Sequence, residues 1–181
     1  MNTAGRILVW DPLVRCFHWL LVLGFFAAYF TRHSPGQIHD WLGYGVLALI
    51  IFRVGWGFFG PRRARFSDFI PGPAATIQYA KAVWSGKQAR YIGHNPLGGW
   101  MALVLLFCIT VTCISGWLYT TDRFWGYEWV ENLHEAFTWI TMALVALHVS
   151  GVIHASRHGH ENLVAAMFHG RKRAPTGSDI D

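Results

Sequence analysis

Four stretches of this chain, approximately Leu13–Phe30, Trp41–Phe59, Gly98–Tyr119 and Phe137–Ala155, are apolar over about the 20 residues that a helix needs to cross the hydrocarbon core of a bilayer. The third carries no charge, the fourth has histidines as its only ionisable groups, and the first two carry one arginine each, Arg15 and Arg53. Lipid offers the backbone no hydrogen-bond partner, so segments of this kind are read as spanning helices. Of 181 residues, 53% are apolar and only 14% charged, which leaves too little chain outside the spans for a separate soluble domain. The expected fold is an all-α membrane protein, a single transmembrane domain over residues 1–181 built as a four-helix bundle. Arg6 and Arg15 precede the first run as they would in a secretory signal. Tyr29-Phe30-Thr31-Arg32 is no small-residue cleavage site, so the run is kept as the first helix.

Orientation follows from lysine and arginine in the short connections. The N-terminal segment holds Arg6 and Arg15, the middle loop Arg62, Arg63, Arg65, Lys81, Lys87 and Arg90, and the tail from residue 156 Arg157, Arg171, Lys172 and Arg173. The other two connections hold only Arg32 and Arg123. Both termini and the middle loop are therefore expected on the cytoplasmic side. This asymmetry, with attraction to anionic lipid, accounts for a pI near 9.4, so no nucleic-acid partner is expected. Within the middle loop, Ala74–Trp84 follows Pro71-Gly72-Pro73 and ends before Gly86. With Ile77, Ala80 and Trp84 on one side, it reads as an interfacial helix, and Glu161–Phe168 looks similar.

Four histidines carry the chemistry. His134 and His148 are fourteen residues apart, which is about 21 Å of helix rise and within about 40° of a whole number of turns. They project from one face of the fourth helix at two depths. His18, early in an outward-running helix, is at the inner depth; His39, opening an inward-running helix, is at the outer depth. The depths pair His18 with His148 and His39 with His134. Two imidazoles facing each other across a bundle supply the axial pair of a six-coordinate haem b, and bis-imidazole ligation leaves no open position, so such a haem carries electrons and does not bind oxygen. Two haems b are therefore expected, with the four histidines as iron ligands.

Gly43 lies one turn after His39, where a missing side chain would let a macrocycle lie against the backbone. Gly116 offers the same opportunity, or simply close helix packing. Arg53, fourteen residues after His39, either meets a haem propionate or snorkels to the cytoplasmic surface. His154 and His158 are spaced to clamp a metal ion or to form a solvated basic helix end. His94, in Gly93-His94-Asn95-Pro96, sits where the middle loop re-enters the membrane and is a candidate for quinone binding or proton uptake. No C-x-x-C-H occurs, which excludes c-type attachment; Cys16, Cys108 and Cys113 read as small apolar residues without a disulfide.

Several motifs together resemble one family. Trp10-Asp11-Pro12-Leu13-Val14-Arg15 with Phe17-His18-Trp19, Ile38-His39-Asp40-Trp41-Leu42-Gly43-Tyr44, Gly93-His94-Asn95-Pro96-Leu97-Gly98-Gly99, Leu133-His134-Glu135, Leu147-His148, Glu161-Asn162-Leu163-Val164 and Gly170-Arg171-Lys172-Arg173 resemble the prokaryotic cytochrome b561 family, which includes b-type cytochrome subunits of nickel-iron hydrogenases. The resemblance covers nearly the whole chain. It implies a multi-pass protein of the bacterial inner membrane with two haems b. The ligands it implies are one histidine from each of the first two helices and two from the fourth, the same four residues. It also implies exchange of electrons with a membrane quinone, ubiquinone or menaquinone, and with a periplasmic redox partner such as cytochrome c or a hydrogenase.

Three classes of function are compatible with these residues. The first is a respiratory dihaem electron carrier between quinone and a periplasmic protein. The second is a stand-alone quinol or superoxide oxidase using the same haems. The third is a haem-free, histidine-lined metal transporter or anchor. Docking at the outer loops would use Asp122, Arg123, Trp125, Tyr127, Trp129 and Glu131, whose aromatics equally suit an interfacial belt.

Overall fold

A computed structural model describes residues 5–177, 179 and 180 of the chain. Residues 1–4, 178 and 181 of the expected domain lie outside them. The element order is β1 (Arg6–Leu8), α1 (Pro12–Thr31), α2 (Ile38–Phe59), α3 (Phe66–Phe69), α4 (Pro73–Trp84), α5 (Pro96–Tyr119), α6 (Glu128–His158), α7 (Leu163–His169) and β2 (Arg171–Arg173). Helices α1, α2, α5 and α6 are long and apolar enough to cross a membrane. Their outward faces carry Leu23, Phe59 and Phe107, the most exposed of which, Phe59, is 88% accessible. Apolar side chains left out along whole helices suit hydrocarbon, not water.

The spans begin earlier than hydropathy alone indicates. The fourth was expected from Phe137, yet α6 starts at Glu128 and runs 31 residues. The apolar pattern stops at Glu131, His134 and Glu135, while the helix continues through them: Glu128 and Glu131 in its first turn complement the positive end of the helix dipole. Likewise α2 starts at Ile38, which places His39 inside the helix. Two motifs prove to be N-caps. The Leu13 and Val14 amides donate to Asp11 Oδ1 (2.9 and 3.1 Å), and the Gly98 amide donates to Asn95 Oδ1 (2.8 Å); Pro12 and Pro96 fill the first helical position.

The chain divides into two compact units. One gathers Cys16–Gly55 and Val104–Ala146. Its core is Phe25, Val46, Ile50 and Ile109, joined by Leu21, Phe26, Cys113 and Met142, so all four long helices contribute. Close approach depends on small residues, since lipid gives helices no hydrophobic reason to associate. A Cβ at Gly24 would stand 3.0 Å from a Val46 methyl.

The other unit gathers Met1–Arg15, Trp56–Leu103 and Leu147–Asp181. Here the all-helical expectation needs correction, because β1 and β2 pair antiparallel, Arg6 opposite Arg173. Gly170, left-handed at φ 78°, ends α7, and its carbonyl accepts from the Val9 and Trp10 amides. A Cβ there would lie 2.8 Å from the Trp10 carbonyl. Val9, Trp10, Ile92 and Ala166 form a small core that buries one side of α7; that helix therefore packs on the chain itself, leaving Val164, Phe168 and His169 exposed. By contrast α4 has no buried residue, and Ile77 and Trp84 are exposed on it.

Polar groups tie this unit together. Buried Arg90 binds Glu161 (3.2 Å), Asp179 (2.5 Å) and the Arg173 carbonyl (2.9 Å). The Lys172 ammonium, 4% exposed, donates to the Tyr91 and Ile92 carbonyls (3.1 and 2.9 Å) and lies 3.8 Å from Glu161. Burial pulls its pKa down to about 8. The Asp179 carboxyl is held below its ordinary range first by the Thr176 amide and then by Arg90.

Candidate haem-binding site

His39 and His134 come together within one unit, α2 against α6, with ring centroids 6.0 Å apart and planes crossed at 83°. Each ring is held by a backbone carbonyl. His39 Nδ1 lies 2.9 Å from the Ala28 carbonyl on α1, and His134 Nδ1 lies 2.9 Å from the Thr112 carbonyl on α5. A carbonyl oxygen only accepts, so both Nδ1 atoms carry hydrogen and both Nε2 atoms keep a free lone pair. That is the tautomer a metal-ligating imidazole needs, and the outer bond raises its basicity.

The spacing fits a shared metal. Two imidazoles bound through Nε2 to one ion have centroids about 6 Å apart, from two bonds of about 2 Å and about 1 Å from each nitrogen to its ring centre. Among the described residues, no three histidine, cysteine or acidic side chains converge on a cation. Two imidazoles at this separation therefore suit an ion that brings its other ligands with it, as iron in porphyrin does.

The flanking glycines behave differently from each other. At Gly43 an added Cβ would meet nothing within 4 Å, so a free space lies beside the His39 turn. At Gly116 it would stand 3.0 Å from both Cε1 and Nδ1 of His134, so this glycine makes room for the imidazole itself. Of the two readings of Gly116, the structure shows the close packing that a small residue allows, here against the His134 ring. Arg53 is buried, 5% exposed, on α2. On α6 the buried residues are Val130 and Thr141, and with His134 and His148 they mark one stripe of the helix.

The remaining candidates lie as follows. His18, half-buried on α1, meets Trp19 edge-on at 5.0 Å, and His148 is half-buried on α6; the two belong to different units. His94 is packed between Trp10 (4.7 Å) and Phe69 (4.5 Å). His154 and His158 stack in parallel at 6.5 Å and hold Gln88: its side-chain amide donates to His154 Nε2 (3.1 Å), and His158 Nε2 donates to its carbonyl (3.0 Å). The Ala28 and Thr112 carbonyls were invisible in the sequence, since every residue has one. The signal available for Thr112 is the glycine one turn later.

A model of the prokaryotic cytochrome b561 family matches residues 9–170. A curated relative from Cupriavidus necator, described as a probable Ni/Fe-hydrogenase B-type cytochrome subunit, is 24% identical over 212 aligned positions, covering 90% of this chain and 85% of the relative. With histidine pairing, helix pattern and family match in agreement, the chain belongs to the prokaryotic cytochrome b561 family.

Proposed function

We propose that this chain is a dihaem b electron carrier of the bacterial inner membrane, moving electrons between a membrane quinone and a periplasmic redox partner. Family membership implies haem b and electron transfer in a membrane. The number of haems, the quinone and the partner are our reading. The observation that carries it is the crossed pair of imidazoles with both Nε2 lone pairs freed. In this reading His39 and His134 hold the outer haem, and His18 and His148, paired from their sequence depths, hold the inner one. Gly43 leaves space for the macrocycle, Arg53 neutralises a propionate, and both termini lie in the cytoplasm. Haem b, when bound, supplies reversible one-electron chemistry at iron. The chain's contribution is to present two basic nitrogens at fixed separation, with no position left for a further ligand.

The hydrogenase subunit among its relatives makes a hydrogenase one candidate partner, a soluble cytochrome c another, and ubiquinone or menaquinone the mobile carrier. The carrier reading is favoured over superoxide oxidation by the outer connections. Asp40, Asp122, Glu128, Glu131 and Glu135 outnumber Arg32 and Arg123 there, and among the described residues none of these carboxylates is in an ion pair. An anion such as superoxide meets an unfavourable field at that end.

A redox titration of the reduced-minus-oxidised spectrum tests the proposal. It should resolve two bis-histidyl haems b of different potential. His148→Ala should remove about half of the α-band and leave the His39/His134 haem in place. A single haem, or equal loss of both in His148→Ala, overturns the pairing; turnover of superoxide and quinone without a partner protein overturns the carrier reading.

A further inference from the structure

We infer that Gly116, with the Thr112 carbonyl, is a positioning element that sets the plane of the His134 ring crosswise to His39 and so tunes the outer haem. The inference rests on the haem reading above, and it concerns a helix, α5, that supplies no ligand.

The geometry has three parts. In a helix the carbonyl of residue 112 points toward residue 116, one turn on. A side chain at 116 would cover the lateral approach to that carbonyl; glycine leaves it open, and His134 Nδ1 reaches it at 2.9 Å. A methyl at 116 would stand 3.0 Å from Nδ1 and equally close to Cε1, tighter than ordinary van der Waals contact, and so would press on the very atom that makes the bond. The Nδ1–H bond lies in the ring plane, so its acceptor fixes rotation of the ring as well as the tautomer. For His39 the acceptor sits on α1, for His134 on α5, and the planes end 83° apart.

Ring orientation has an electronic consequence. Crossed imidazole planes each engage a different iron d orbital, leaving the two nearly degenerate. A low-spin ferric haem of this kind gives one strongly anisotropic paramagnetic resonance line. Parallel planes split the orbitals and give a rhombic three-line spectrum. The donated Nδ1 proton adds electron density to the ligand and favours ferric iron, so its loss raises the midpoint potential.

The experiment is low-temperature electron paramagnetic resonance and redox titration of the haem-loaded, full-length protein, comparing wild type, Gly116→Ala and Gly45→Ala. The last adds a methyl where nothing lies within 4 Å, and so controls for loss of a helical glycine. Wild type and Gly45→Ala should share a strongly anisotropic signal assigned to the outer haem. Gly116→Ala should move that signal toward the rhombic form and raise that haem's potential, leaving the other haem unchanged. Unaltered signal and potentials in Gly116→Ala, with haem retained, overturn the inference and reduce Gly116 to a packing residue. If Gly116→Ala loses the haem, the wild-type spectrum decides: rhombic signals alone overturn crossed planes, and an anisotropic signal supports them. Protein that shows no bis-histidyl haem overturns the underlying reading instead.

Discussion

Replacing Thr141 by valine removes one hydroxyl and keeps the β-branched shape. Thr141 is 0% exposed, and among the described residues nothing hydrogen-bonds its Oγ1, although a helical threonine ordinarily donates to the carbonyl one turn back. It lies seven residues after His134 and seven before His148, on the stripe of α6 that faces inward. An unsatisfied buried hydroxyl costs about 1–3 kcal/mol, and polar groups in lipid are worth toward the lower end. Thr141→Val should therefore stabilise the haem-free protein by about 1 kcal/mol, the difference that removing an unmade bond supplies. Thr141→Ala removes the same hydroxyl but also a packed methyl, and should fall about 1 kcal/mol or more below the valine variant. Reversible unfolding in mixed detergent micelles gives both values. Valine is expected above both threonine and alanine; a valine variant less stable than wild type by about 1 kcal/mol would refute the argument, since the hydroxyl would then have to be bonded.

Other perturbations follow from the same structure. Arg90→Met leaves Asp179 and Glu161 without their shared partner and should lower the melting temperature, read by thermal unfolding; an unchanged melting temperature would mean water reaches these carboxylates. Lys172 has a folded pKa, about 8, below its ordinary 10.5, so the stability it confers as a neutral amine is complete above 10.5 and is lost as pH falls through about 8. This amounts to about 3 kcal/mol across the window, and Lys172→Met should flatten the rise in melting temperature between those pH values, equal slopes arguing against it. On the dihaem proposal, His39→Ala should abolish the outer haem's spectrum while the His18/His148 haem persists; retention of both haems would mean another residue ligates in its place.

Much of this was legible in the sequence. The four spans follow from the incompatibility of bare backbone with hydrocarbon, which makes long apolar runs unambiguous. That His39 and His134 lie close together was readable because helix rise converts residue number into depth. Where a helix begins was less legible. Glu131, His134 and Glu135 look like loop by polarity, yet glutamate is a good helix former and suits the first turns of α6. Least legible were interactions that use the backbone: the carbonyls of Ala28 and Thr112, the bonds that bury Lys172, and a three-residue strand, Arg171–Arg173, with too few positions to show alternation. Gly116 is legible as a missing side chain, but that its neighbour is the His134 ring is not.

The pairing of β1 with β2 joins residues as distant as Arg6 and Arg173. During synthesis the first strand leaves the ribosome long before its partner exists, and helices can enter the bilayer while it waits. The sheet, the Gly170 bonds to Val9 and Trp10, and the Lys172 cradle can form only after residues 170–173 have been made. Maturation of that unit is therefore an event of high contact order that follows synthesis of α6, a checkpoint that registers whether that helix has been inserted. Ribosome-bound chains halted before Gly170 should keep the N-terminal segment open to protease, and chains released past Arg173 should protect it.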